Sequence, residues 1–245
     1  QSIRGPLIHV YSSPVPIVRD IQTGHELVMP LNERLRLHDW SPDDNAFLLR
    51  GQDAKGQRGV YRLDVESDHL SLLFRPNFRR QDAAWSPDGN SVFYIDGIRN
   101  SAFGIFSWTK ATGEKRLLCN FWKEDEADIK SKGPQSLAVS PDGKQIAFST
   151  QKELRLMATS GDESRVLFRV AEPLEIPSMV GIAWTADGQS LIYGEGENAS
   201  EGADASDPHR STQLWIIDVD GGQRRPLGPP ISRLSNFSLH PVGNK

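Results

Sequence analysis

The sequence predicts an all-β fold of four-stranded antiparallel blades, a β-propeller. One turn-bearing motif recurs along the chain, and a second hairpin follows each copy. Ala84-Trp85-Ser86-Pro87-Asp88-Gly89-Asn90-Ser91-Val92-Phe93-Tyr94 returns as Ala138-Val139-Ser140-Pro141-Asp142-Gly143-Lys144-Gln145-Ile146-Ala147-Phe148. Ala183-Trp184-Thr185-Ala186-Asp187-Gly188-Gln189-Ser190-Leu191-Ile192-Tyr193 lacks only the proline. Asp39-Trp40-Ser41-Pro42-Asp43-Asp44-Asn45-Ala46-Phe47-Leu48-Leu49 carries Asp44 where the others have glycine, and Ser238-Leu239-His240-Pro241-Val242-Gly243 is a clipped copy. Equivalent positions 42, 87, 141, 186 and 241 stand 45, 54, 45 and 55 residues apart. That period suits four-stranded blades rather than helix pairs.

Each copy reads as strand A, a tight turn and strand B. Proline presets φ early in the turn, Asp bonds nearby backbone amides, and Gly takes the positive φ that closes it. Asp44 substitutes tolerably, because Asp enters the left-handed region more readily than most residues with a side chain. Apolar alternation follows at once, as at Val92 and Tyr94 or Ile146 and Phe148, which is the period of a half-buried strand.

Along the chain, residues 7–11, 16–21 and 26–29 read as strands B, C and D of a unit whose strand A is missing. Blades then run over 31–76, 77–121, 134–172 and 178–229. Their C–D hairpins are Val60 to Phe74, Phe106 to Leu118, Leu154 to Phe168, and Leu214 onward through Gly221-Gly222. Residues 233–240 supply a strand A with nothing after it. Joining 231–245 to 6–30 makes a composite blade, about five in all, within a single domain spanning 1–245. Such closure hides both sheet edges. The rival reading is a fragment of a ring of about six to eight blades. The two longer periods come from the charged run Lys123 to Asp128 and the polar, acidic run Gly194 to Thr212, read as surface insertions that cost little as loop extensions.

Composition narrows function by exclusion. With 245 residues, the chain can bury a full core. A single cysteine, Cys119, excludes an internal disulfide or a cysteine zinc cluster. The formal net charge of −4 offers no basic field for nucleic acid. No apolar run approaches the about 18 residues of a membrane span, so direct membrane insertion is not expected. Oligomeric state is left open.

Catalytic patterns fail one after another. A serine-hydrolase elbow needs G-x-S-x-G, and Gly188-Gln189-Ser190-Leu191-Ile192 misses its last glycine. A zinc-protease helix needs two imidazoles four residues apart, but His25-Glu26-Leu27-Val28-Met29 ends in methionine and reads as a strand. Gly51 to Arg58 has Gln57 in place of a phosphate-loop lysine, so a B–C turn is preferred. The six histidines, at 9, 25, 38, 69, 209 and 240, share no metal-ligand spacing. Trp40, Trp85 and Trp184 hold one repeat position, which argues for packing between blades. Trp122, beside the acidic run, is expected to be exposed. No catalytic residue is assigned, and the chain is read as a non-enzyme.

The A-W-S-P-D-G copies, with their apolar alternation and Thr-Gly turns, resemble the TolB-type propeller repeat, a relative of WD-repeat blades, over nearly the whole chain. The resemblance implies a bacterial, periplasmic or extracytoplasmic accessory protein with a protein or peptide partner. No α/β domain of the kind that leads TolB is found in this sequence, so TolB's own partner is not carried over. Similar propellers also gate prolyl-oligopeptidase-like peptidases or act as ligand sensors of bacterial kinases and regulators, and these stand as the alternatives. In TolB-like propellers strand A lines the central channel. Three residues before the tryptophan position stand Leu37, Asp82, Ser136, Gly181 and Asn236, so Asp82, Ser136 and Asn236 are the ligand or channel candidates. One carboxylate with two neutral polar groups falls short of the about six to eight oxygens calcium takes. Solvated lining is therefore preferred to calcium, and no other cofactor is implied.

Overall fold

A computed structural model describes residues 7–10, 17–20, 26–28, 35–77, 82–98, 103–121, 133–150, 153–161, 163–170, 178–196 and 211–232. The chain divides into two compact units, Gln1–Pro76 with His240–Lys245, and Asn77–Leu239.

In the first unit, β1 (Leu7–Val10), β2 (Ile17–Asp20) and β3 (Glu26–Val28) pair antiparallel in that order. These are the three strands expected ahead of the first full blade. That blade is β4 (Leu35–Trp40), β5 (Ala46–Gln52), β6 (Arg58–Asp64) and β7 (Leu70–Phe74), again in chain order. Alternate residues of its strands, Leu35, Phe47, Leu49, Tyr61 and Leu63, form one buried cluster, as the two-residue period requires.

The second unit holds three blades. The first is β8 (Ala83–Trp85), β9 (Ser91–Gly97), β10 (Phe103–Thr109) and β11 (Lys115–Asn120). The next is β12 (Ser136–Val139), β13 (Gln145–Ser149), β14 (Glu153–Ala158) and β15 (Arg165–Arg169). The last is β16 (Ser178–Trp184), β17 (Ser190–Gly196), β18 (Ser211–Asp218) and β19 (Arg225–Pro226), with β20 (Ile231–Ser232) also on β18. The A strands β8, β12 and β16 are neighbours in series. Apolar residues interlock between these blades: Ile95 and Ile105 pack with Ile146 and Phe148, and Leu154 and Leu156 with Ile182 and Tyr193. Trp184 donates its indole N–H to the Ala138 carbonyl at 3.1 Å, which is the packing between blades expected of it, whereas Trp40 packs against Phe47 of its own blade.

Two expectations need correction. Among the described residues there are four complete blades, not five, because the leading sheet has three strands; residues 233–240, expected to complete it, lie outside the described residues. The acidic run does not begin as a loop at Gly194. β17 continues through Gly196, pairing Gly194 with Leu214, Glu195 with Gln213 and Gly196 with Thr212. The ladder holds the backbone there although the glycines break the apolar alternation.

Three of the four D strands share a device that the sequence did not reveal. In β7, β11 and β15 one residue is bulged out of register against the C strand. Beside each bulge stands an exposed aliphatic side chain, Leu72, Leu117 or Val166. A bulge on an edge strand interrupts the ladder that another chain could extend.

Candidate functional site

The recurring turn is a hydrogen-bonded frame repeated in all four blades. Its serine or threonine hydroxyl donates to the turn aspartate: Ser140 to Asp142 at 2.7 Å and Thr185 to Asp187 at 2.6 Å, with Ser41–Asp43 and Ser86–Asp88 alike. The same hydroxyl oxygen accepts the first amide of strand B, from Ala46, Ser91 and Gln145 at 2.9 Å and from Ser190 at 3.0 Å. The aspartate also accepts the amide two residues on, from Asn90, Lys144 and Gln189 at 3.0 Å. The fourth turn residue has positive φ in each of the four described copies, 69° at Gly89, 72° at Gly143, 69° at Gly188 and 56° at Asp44. Asp44 therefore occupies the backbone position predicted for it.

These hydrogen bonds set the charge state of the turns. The Ser86, Ser140 and Thr185 hydroxyls, followed by the backbone amides, hold Asp88, Asp142 and Asp187 below the ordinary value of 3.8. Charge-accepting hydrogen bonds favour the ionised form. The turn aspartates are thus fixed anions whose inner oxygens are committed to the turn.

The A–B and C–D turns share one end of each sheet. Strand C ends against the A–B turn through amides donated by Val65 to Asn45, Lys110 to Asn90, Thr159 to Lys144 and Val219 to Gln189, at 2.8 to 3.0 Å. In the second unit successive A–B turns lie side by side: a Cβ placed on Gly143 would lie 3.5 Å from Pro87 Cδ, and one on Gly188 would lie 3.6 Å from Pro141 Cδ. The frame is constant, whereas the exposed residue it projects varies as Asn45, Asn90, Lys144 and Gln189.

Of the three channel candidates, the structure brings two together. Asp82 accepts the Ser136 hydroxyl at 2.9 Å and the Leu137 amide at 3.0 Å with one carboxylate oxygen, and the Ala83 amide at 3.1 Å with the other. The carboxylate ties the start of one blade's A strand to the start of the next. Asn236 lies outside the described residues. Among the described residues, no three His, Cys, Asp or Glu side chains gather to hold a metal ion. The Gly51 to Arg58 segment is a B–C hairpin in which Asp53 accepts the Lys55 and Gln57 amides at 2.9 and 2.8 Å. Trp122 also lies outside the described residues.

A second cluster escaped the sequence reading. The Arg224 guanidinium lies between two rings, 4.3 Å from the Phe168 centroid and 4.1 Å from that of Trp215. It donates to the Tyr193 hydroxyl at 3.1 Å and pairs with Glu195. Burial pushes the Tyr193 phenol up to about 12, so it stays neutral at physiological pH. Glu195 fell within the expected acidic loop, and Arg224 follows the Gly221-Gly222 turn. No spacing in the sequence joins them.

No family model matches the chain. A curated relative, WD repeat-containing protein 1-B of Xenopus laevis, is 21% identical over 179 residues, which is 73% of this chain and 28% of that protein. Among solved structures, a putative TolB from Agrobacterium tumefaciens matches with a TM-score of 0.69 at 18% identity, covering 94% of this chain and 80% of that one. TolB from Acinetobacter baumannii matches with a TM-score of 0.67 at 16% identity, covering 94% of this chain and 54% of that one. The chain thus spans about a quarter of the Xenopus protein and about half of the Acinetobacter one. The fold is that of the TolB-like and WD-repeat β-propellers.

Proposed function

We propose that the chain is a non-catalytic propeller scaffold that binds a protein or peptide partner through the A–B and C–D turns of its blades. One observation carries this reading: a single hydrogen-bonded frame places an exposed residue at the same position of each blade, and that residue is Asn45, Asn90, Lys144 or Gln189. Rigid elements that display variable side chains are how a scaffold fixes recognition geometry without spending conformational entropy on binding. The repeated Ser and Asp, which look like site chemistry in the sequence, hold the frame; the displayed positions carry the specificity. The periplasmic or extracytoplasmic setting associated with TolB-type propellers belongs to the same reading.

The test replaces the displayed residues and keeps the frame. The variant K144E/Q189E leaves every turn Ser, Thr, Asp and Gly in place, together with the Asn90 side-chain bond to Asp88, so its unfolding free energy should stay within about 0.5 kcal/mol per site of the parent. Partners retained by the parent from extracts of its native host should be lost by this variant. Equal retention by both, or turnover of a substrate by the purified chain with loss on a single substitution, contradicts the reading.

A further inference from the structure

We propose that Phe168, Tyr193, Trp215 and Glu195 form a cation-accepting aromatic cage in which the Arg224 guanidinium is an intramolecular stand-in for an alkylated ammonium ligand. Two ring faces flank the cation at 4.3 and 4.1 Å. A third ring, Tyr193, lies 6.0 Å from Phe168 and turns its hydroxyl toward the charge. The Glu195 carboxylate supplies the balancing anion. Ring faces attract a cation through their quadrupoles, most strongly where water is excluded, and an alkylated ammonium matches such a cage because its charge is spread over weakly hydrated methyl groups. The walls come from strands of two neighbouring blades, β15 with β17 and β18, so the cage is held by their ladders.

The occupant is held less firmly than the walls. Arg224 lies outside β19, whose pairing begins at Arg225 opposite Ile216. Three residues before it, Gly221 has a φ of 89°, and a Cβ there would meet nothing within 4 Å. Rotation about the side-chain bonds of Arg224 would withdraw the guanidinium without disturbing the Arg225–Ile216 pairing. The Arg224 side chain is 30% exposed against 13% for Glu195, so the mouth lies on the arginine side. The site is independent of the turn face and stands or falls separately from it.

The test titrates tetramethylammonium and a trimethyllysine-containing peptide into the parent chain, Arg224→Gln and R224Q/W215L, by calorimetry, with ammonium as control. Removing the internal cation should tighten tetramethylammonium binding at least about tenfold, with ammonium showing no such gain and the W215L double variant losing it. Tighter binding of the peptide than of the free ion identifies a methylated side chain as the ligand. Equal binding identifies a small quaternary ammonium. A folded R224Q that binds no more tightly than the parent, or whose binding survives W215L, overturns the proposal. Should R224Q not fold, the side-chain Nε–Hε resonance of Arg224 in the parent decides: a saturable shift with tetramethylammonium is expected, and none contradicts exchange.

Discussion

Ser140 shows how much one hydroxyl does in this fold. It is buried, donates to Asp142 and accepts the Gln145 amide, so it joins the turn to strand B. Ser140→Ala removes both bonds and should cost about 1 to 3 kcal/mol in urea unfolding. The same bonds make stability depend on pH. Asp88, Asp142 and Asp187 have folded-state values below the ordinary 3.8. The unfolded chain therefore takes up protons first, and the stabilisation is complete above about pH 4 and is lost as pH falls through the depressed values. The urea midpoint should accordingly drop below about pH 4, and drop less steeply in S140A, where Asp142 has lost its main donor. An equally steep drop in S140A would contradict the assignment. These residues were legible in the sequence because their role is local: the Ser-Pro-Asp-Gly string determines its own turn, down to the positive φ of Asp44.

Strands were legible wherever apolar residues run along them, as in β5 and β9, which are buried on both faces, and illegible where a partner strand alone holds the backbone. Gly194, Glu195 and Gly196 read as loop, yet β18 pairs with all three. The bulges of β7, β11 and β15 leave no mark in composition, because each is a matter of register against the C strand. The Asp82 link is intermediate. Its position in the repeat singled it out, but its partners are 54 and 55 residues away, and only folding shows that Ser136 and Leu137 take up one of its oxygens. Asp82→Ala leaves both donors without this acceptor and should destabilise by about 1 to 3 kcal/mol, with Asp82→Asn losing less because one carbonyl oxygen remains. Equal losses in urea unfolding for the two variants would point to a requirement for charge rather than for a hydrogen-bond acceptor.

For the molecule as a whole, the repeat period indicated propeller blades, and the two TolB structures agree at 16 to 18% identity. Blade count was harder to read. A blade exists when its fourth strand pairs, and the leading sheet has three strands among the described residues. Function was the least legible, since the repeated polar residues that look like site chemistry build turns. The central claim is that recognition occurs at the turn end of the sheets. Its most direct test is photo-crosslinking in the native host from a light-activated residue placed at Asn45, Lys144 or Lys55. Asn45 and Lys55 flank β5, seven residues long, or about 23 Å of strand, so they report opposite ends of one blade. The account predicts discrete adducts from positions 45 and 144 and none from 55. Adducts from 55 alone would place recognition at the opposite end and contradict it.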